Sequence, residues 1–439
     1  MRNPSSVPRP AFGEAFRFWL KLGLISFGGP AGQIAIMQTE LVDRRRWISQ
    51  ARFLHALNYC MLLPGPEAHQ LAIYIGWLLH KIRGGIVAGV FFVLPSIFVL
   101  WTLSYIYAAY GGVPWIAGIF YGLKPVVVAI VVAAVIRIGR KALKNEVMWT
   151  LAVLAFVAIF FLKVPFPLII ITAGFIGLIG GKLWPPKFDV ISGHDDAAAL
   201  VEPSIIDDTH APPEHTRPSL RRAVLIVIIW LAIWWAPVVL AAFVLGVDST
   251  VFREGIFFSK AAVVTFGGAY AVLPYVAQRA VEHFHWLKPG QMMDGLGLAE
   301  TTPGPLIMVL QFVGFMGGWN QPGPLSPLLA ATLGALITTW VTFTPCFLWV
   351  FLGGPHIEQL RGNKSISTAL SAVTAAVVGV ILNLAVWFAL HVVHPKEGFD
   401  WFAVVLSLAA LIAMIRWKLS VILVVLAGGM TGWLASLVR

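Results

Sequence analysis

Long apolar stretches alternate along the chain with short clusters of charged residues, a pattern foreign to the half-polar helices and strands of a soluble domain. Stretches at about 85–110, 114–136, 147–162 and 165–181, and again from about Ala223 to Gly246, read as helices that cross a hydrocarbon core about 30 Å thick. Two more, 14–42 and 53–80, are also apolar but broken, the first by Ser26-Phe27-Gly28-Gly29 and the second by Pro64-Gly65-Pro66. Gly accepts backbone angles that end a helix and Pro removes an amide donor, so each break predicts non-helical backbone at membrane depth.

The breaks recur. Thr265-Phe266-Gly267-Gly268 repeats the first in conservative form (265 − 26 = 239), and Pro303-Gly304-Pro305 repeats the second (303 − 64 = 239). Trp286 repeats Trp47 and Lys260 repeats Lys21 at the same offset (286 − 47 = 260 − 21 = 239). The chain therefore divides into an N-terminal repeat (1–183), a cytoplasmic linker with one additional span (184–250) and a C-terminal repeat (251–439). One extra crossing between copies inverts the second. The expected fold is an all-α polytopic membrane protein of two inverted-topology repeats with broken, re-entrant helices.

Charge placement sharpens this topology. Arg44, Arg45 and Arg46 are basic, as is the turn at 81–83, and both belong in the cytoplasm. The segment 53–80 must then enter the membrane and come back, with Pro64-Gly65-Pro66 at its tip. Single crossings at 14–42 and 53–80 would instead leave the arginines outside. Arg137, Arg140, Lys141 and Lys144 form the next cytoplasmic loop, and Arg217, Arg221 and Arg222 follow the linker. In the second copy Arg279 and Lys288 fall outside, Arg361, Lys364, Arg416 and Lys418 inside, and Arg439 outside. The chain is thus expected in the plasma (inner) membrane with its N-terminus cytoplasmic and its C-terminus external.

Composition agrees. Of 439 residues, 59% are hydrophobic and 12% charged, against about 25% charged in a soluble domain, so lipid is the expected solvent and partner. The net charge of +11 lies between the spans, where cytoplasmic retention accounts for it, and no nucleic-acid partner is expected. Cys60 and Cys346 lie in apolar surroundings and read as core filler. The polar, Pro-rich N-terminus shows no signal-peptide cleavage site. His194, His210 and His215 in the linker have no ligand spacing, and no phosphate-binding loop or zinc-protease helix occurs. No metal and no cofactor are expected, and an enzyme would lack a nucleophile or metal set. Gly85 and Gly89 permit close helix contact, which leaves a homodimer possible.

The chemistry lies in the breaks. A broken helix leaves a free N-terminus with unpaired amides and partial positive charge, which suits an anion. Ser26, Phe27, Gly28, Gly29 and Gly65, with Thr265, Phe266, Gly267, Gly268 and Gly304, form a candidate substrate cradle; the alternative is packing kinks. Lys21 and Lys260 are candidate anion attractors or interfacial anchors. Glu67 and Glu300 are coupling candidates that bind a proton, or structural acids paired with Lys or Arg. His69, Gln70, Thr301, Thr302 and Gln311 are polar neighbours, and Lys124 stands mid-span beside Pro125.

Ser26 through Pro30, Val42 to Trp47, Leu63 through Glu67 with Gln70, Gly84-Gly85 and Phe92 through Ser96 resemble the N-terminal half of the chromate ion transporter family in its long two-domain form. Thr265 through Tyr270, Trp286 and Glu300 through Pro305 resemble its C-terminal half. The resemblance implies a bacterial-type plasma-membrane protein that exports chromate, a divalent tetrahedral oxyanion; the residues alone imply an anion. The expected function is secondary transport driven by membrane potential or ion exchange, the alternative being a transporter of sulfate or another oxyanion, or an anion channel.

Overall fold

The computed structural model describes residues 10–27, 29–188, 204–206, 214–356, 364–395 and 398–438. Among them all regular structure is helical, apart from one isolated bridge between Ile48 and Ile206. The first copy comprises α1 (Phe12–Ile25), α2 (Gly29–Gln38), α3 (Gln50–Leu62), α4 (Glu67–Tyr110), α5 (Pro114–Ala142), α6 (Glu146–Phe160) and α7 (Phe166–Leu183). A short α8 (Pro185–Phe188) and the additional α9 (Leu220–Leu245) follow. The second comprises α10 (Thr250–Val263), α11 (Ala269–Gln278), α12 (Pro289–Thr301), α13 (Val309–Asn320), α14 (Pro327–Gly353), α15 (Lys364–Val393), α16 (Trp401–Arg416) and α17 (Val421–Val438). Among the described residues six helices are long and apolar enough to cross a membrane, and α4, α5, α7, α9, α14 and α15 carry those spans. The chain is a multi-pass membrane protein.

The two broken segments of the first copy fold back on themselves. Arg45 reaches Glu14 at 3.4 Å, Trp47 packs edge-on against Phe18 at 5.1 Å, and the His80 ring bonds the Pro10 carbonyl at 3.0 Å. Residues 10–14, 45–47 and 80 therefore share one end of the bundle, and the breaks are the tips of two hairpins. At His80 and Lys81 the backbone leaves helical angles, and the rest of α4 carries the chain to the opposite end. There the Trp101 indole donates to Thr332 at 3.2 Å, and Tyr105 lies against Trp319. The hairpins of the second copy begin at this opposite end. Thr250 donates to the Gln321 carbonyl, Gln321 to those of Phe284 and His285, and Asn320 to that of Trp286, at 2.7–3.1 Å.

Local geometry repeats in register. A π-helical turn ends α2 at Thr39–Arg44 and α11 at Arg279–His283, and the following turn puts Arg46 and His285 at φ 53° and 54° (285 − 46 = 239). Trp47 and Trp286 then donate to Leu41 and Ala280, each at 2.8 Å. Near the C-terminal ends the offset becomes 418 − 163 = 255, where Lys163 and Lys418 share φ values of 55° and 54°. The copies also exchange packing. α5 lies on α16 and α17, and α15 on α6 and α7. At the α5–α17 crossing, Gly122 and Gly432 approach the facing helix so closely that a Cβ on either would strike backbone, that of Gly428 or of Gly118 and Gly122.

Three sequence readings change. α5 continues to Ala142, six residues past the expected end at 136, so Arg137, Arg140 and Lys141 stand on a helix, not in a loop. Gly85 and Gly89 admit the rings of Phe351 and Phe347 of α14, so their close contact is internal. Of the linker, Ile205 and Ile206 dock on the turn at 46–49, with Ile206 accepting from Ser49 at 2.9 Å. The additional helix α9 begins three residues before the expected start at Ala223. Cys60 and Cys346 are both buried free thiols. Gly28, His194, His210, Arg361 and Arg439 lie outside the described residues.

The hairpin ends supply a topology test. Arg44 and His283 are exposed repeat equivalents (283 − 44 = 239) at opposite ends of the bundle. Cysteines placed singly at these positions label from opposite sides of the membrane with an impermeant maleimide. Labelling of both from one side contradicts the fold.

Candidate functional site

The four tips meet between the two ends of the bundle, and each is tied to a tip of the other copy. The Gly65 amide donates to the Thr265 carbonyl, and the Gly304 amide to the Ser26 carbonyl, both at 2.7 Å. The donors and acceptors are themselves repeat equivalents, so the pair of bonds is reciprocal. Gly65 and Gly304 hold φ values of 127° and 102°, a region natural only to glycine. Side chains from other helices cap the carbonyls of the breaks. Gln70 donates to Pro64 at 2.8 Å, Ser96 to Pro303, and Gln33 to Gly304 at 2.5 Å.

These bonds divide the expected cradle into two groups. The hydroxyls of Ser26 and Thr265 donate to Leu22 and Ala261 of their own helices, each at 2.6 Å. With the Gly65 and Gly304 amides also engaged, these four residues hold the tips together. Phe27 and Phe266 spend their amides on Ile25 and Val264 in matching tight turns. The donors left at the centre belong to the first turns of α2, α4 and α11, which an α-helix cannot satisfy internally. Gly29, Gly267 and Gly268 line those turns at φ 66°, 82° and 87°. A Cβ on Gly267 would make only ordinary contact with Val377.

Two acids adjoin this centre. Glu67 opens α4, half-buried, with its Oε1 3.7 Å from where a Cβ of Gly268 would stand. Glu300, at the end of α12, is buried and accepts a 2.5 Å bond from the Tyr270 hydroxyl of α11. Each acid lies within electrostatic reach of a cation on α5, Glu300 and Tyr270 of Arg137 and Glu67 of Lys141. Residues 137 and 141 are one turn apart on a single face of α5. Both are exposed.

Other predicted residues lie elsewhere. Lys21 lines an outer groove with Glu14, Arg17 and Arg45, and Lys260 is exposed on α10. His69 is a core histidine, bonded to the Gly89 carbonyl at 3.2 Å and enclosed by Phe92, Phe343 and Phe347. Thr301 and Thr302 bond back to α12, and Gln311 donates to Ile97. Lys124 lies 3.8 Å from buried Asp294, which also accepts from Tyr107 at 2.8 Å, a cluster apart from the tips. Sequence reasoning missed Arg137, Lys141, Gln33, Ser96 and Tyr270 as site residues. For the first two a signal existed, because an i, i+4 pair of cations directly followed an apolar run.

With this geometry established, comparison with known proteins becomes informative. The chromate transporter family profile matches residues 13–178 and 253–433, one segment in each copy. The chain is 33% identical to the chromate transport protein of Pseudomonas aeruginosa over 98% of its own length and 94% of that protein's. It is 27% identical to a probable chromate transport protein of Synechococcus elongatus, over 94% and 91% of the two chains. To the chromate transport protein of Cupriavidus metallidurans it is again 27% identical, over 87% and 83%. No solved structure matches the chain. The chain belongs to the chromate transporter family.

Tip and cradle positions respond differently to substitution. A Cβ at Gly304 would strike the Ser96 hydroxyl that caps Pro303; Gly304→Ala is expected to cost about 2–4 kcal/mol, from left-handed backbone plus overpacking. Gly267→Ala carries only the backbone term, about 1 kcal/mol. Thermal unfolding of the solubilised variants checks the order, and equal losses contradict it.

Proposed function

We propose that this protein is a secondary transporter that exports chromate across the plasma membrane, driven by membrane potential or ion exchange. The observation that carries the reading is the pair Arg137 and Lys141, one turn apart on α5 and within electrostatic reach of the two acids at the junction of the broken helices. An oxyanion entering there exchanges protein carboxylates for its own oxygens. The planar Arg137 guanidinium can offer two parallel N–H donors, and Lys141 adds a point charge. The first turns of α2, α4 and α11 supply backbone amides and the positive ends of their dipoles. None of these groups distinguishes chromate from sulfate; the names of the relatives supply chromate.

The contacts that put the two sets of hairpin ends at opposite ends of the bundle support an inverted-repeat reading. In such a pair the site opens alternately to each side as the copies exchange conformations. The concentration of Arg44, Arg45, Arg46, Arg137, Arg140 and Lys141 toward one end supports a cytoplasmic assignment for that end, with the N-terminus inside and the C-terminus outside. A dianion leaving a cell negative by 100 mV gains about 4.6 kcal/mol, from about 2.3 per charge. Export therefore requires no nucleotide.

Labelled chromate in proteoliposomes checks the function. Flux saturates and shows counterflow against unlabelled chromate; linear flux without counterflow indicates a channel, and preference for sulfate reassigns the substrate.

Substitutions at the site have opposite expected signs. Arg137→Gln weakens chromate binding at least tenfold, because it removes a charge-assisted donor pair. Glu67→Gln and Glu300→Gln strengthen it several-fold at neutral pH and flatten its pH dependence, because each removes a carboxylate that competes for the same cations. Calorimetry at constant ionic strength reads all three. Gly267→Val abolishes binding while the protein stays monodisperse, and wild-type affinity in that variant contradicts the amide cradle.

A further inference from the structure

Glu254 of α10 is fully buried, and neither carboxylate oxygen meets a hydrogen-bond partner. Its carboxyl lies in a slot made of glycine backbone. A Cβ on Gly317 of α13 would strike Oε1, and one on Gly334 of α14 would strike Oε2. Gly314 and Gly334 form the crossing of α13 and α14, and beyond that crossing stands the hydroxyl of Thr338, also buried and without a partner. The neighbouring Thr339 and Thr342 bond back to Ala335 and Thr338 of α14, at 2.8 and 2.7 Å. Two unsatisfied polar groups thus flank one glycine crossing in the interior of a membrane protein.

No counter-charge explains the acid. Neither α13, α14 nor α11 carries a charged residue or a histidine, and Arg221 and Arg222 of α9 lie at its other end. On α10 itself, exposed Arg253 pairs with Asp248 at 2.8 Å, and Lys260 is exposed. The adjacent turn bears Arg279, half-buried and turned to Tyr275, and Glu282, His283, His285 and Lys288, all exposed; Tyr275 lies against Phe257 with its ring. An ionised carboxylate in this slot would have neither solvent nor partner, which is prohibitively costly. A neutral acid fits.

The slot also has a connection. Gly334, Thr338, Thr342 and Cys346 follow one ridge of α14 at intervals of four residues, a length of about 18 Å. The ridge ends at a hairpin tip, for the Cys346 sulfur lies 2.9 Å from where a Cβ of Gly65 would stand, beside the Gln70 amide. The equivalent of Glu254 in the first copy is Ala15 (254 − 15 = 239), so only one copy carries this acid.

We propose that Glu254 is a proton-binding carboxyl of the transport cycle, linked to the Pro64-Gly65-Pro66 tip by the hydroxyl-bearing ridge of α14. The proposal rests on the transporter reading and makes the exchanged ion a proton. Glu254 binds a proton from the side on which α10 begins. In the described conformation it stays neutral. It gives the proton up along the ridge, to water at the Pro64-Gly65-Pro66 tip, in a second conformation that admits solvent to the slot as the oxyanion moves the other way. It returns to the neutral acid on the next uptake.

Infrared difference spectroscopy on the full-length protein in lipid nanodiscs tests the protonated state without reference to transport. Wild type minus Glu254→Gln shows a protonated-carboxyl band at neutral pH, and absence of that band overturns the proposal. Glu254→Gln, close in shape to the neutral acid, melts within a few degrees of wild type; a large loss indicates an ionised, structurally paired group and also overturns it. In proteoliposomes, an imposed pH gradient accelerates chromate flux several-fold in wild type and has no effect in Glu254→Gln, whereas chromate self-exchange at uniform pH persists. Thr338→Val reduces the gradient-driven component and keeps the infrared band. Retention of full gradient sensitivity in Glu254→Gln sinks the coupling role. Absence of chromate counterflow in wild type sinks the transporter reading instead, and the infrared band separates the two failures.

Discussion

A peptide group inside a bilayer finds no water to bond, so a helix that stops at membrane depth must have its loose ends satisfied by protein. The rest of this structure depends on how that demand is met. Each Pro-Gly-Pro tip passes an amide to a carbonyl at the other tip of the opposite copy, Gly65 to Thr265 and Gly304 to Ser26. Neither copy can close its own tips. That explains why the exchange extends outward, with α5 against α16 and α17 and α15 against α6 and α7. It also explains why Gln33, Gln70 and Ser96 are buried polar residues in an otherwise apolar core: each satisfies a carbonyl that the Pro-Gly-Pro turns leave open.

Much of this architecture was legible in the residue pattern. The 239-residue offset locates the breaks, and the arginines at 44–46 require a return path that single crossings would deny. What the pattern could not show is which donors the breaks keep for a ligand. Ser26 and Gly65 look like cradle residues because they sit at a helix break, yet the Ser26 hydroxyl is absorbed by Leu22 of its own helix and the Gly65 amide by Thr265 of the other copy. The end of α5 failed for a different reason. Basic residues after an apolar run are ordinarily read as a cytoplasmic loop, whereas Arg137 and Lys141 stay helical and face the buried ends of α4 and α12. Tyr270 carries no local signal of its role, because its partner Glu300 lies on a different hairpin.

The backbone is repeated, but the chemistry is not. The equivalents of Glu67 and Glu300 are Leu306 and Met61 (306 − 67 = 300 − 61 = 239), and Tyr270 corresponds to Ala31. The two cations also come from one helix of one copy. A scaffold with two-fold geometry can interchange its inner and outer openings at little cost, since each conformation repeats contacts of the other. One-sided placement of acids and cations then makes the two openings electrostatically different. On the proposed transporter reading, direction would belong to the side chains and the interchange to the backbone.

On the proposed transporter reading, charge balance at the junction would tie substrate movement to protons. Arg137 and Lys141 contribute two positive charges, and the two acids, when ionised, cancel them. A dianion that arrived with both acids ionised would leave a net charge of about −2 in a partly enclosed, weakly polar site, which costs several kcal/mol per uncompensated ion. The balance is restored if the acids withdraw from the cations or take up protons as the oxyanion binds. Either route makes the carboxylates of the empty site stand in for the substrate. The same acids keep the cations neutralised while the site reorients without cargo, and that return step is the one an exchanger must perform.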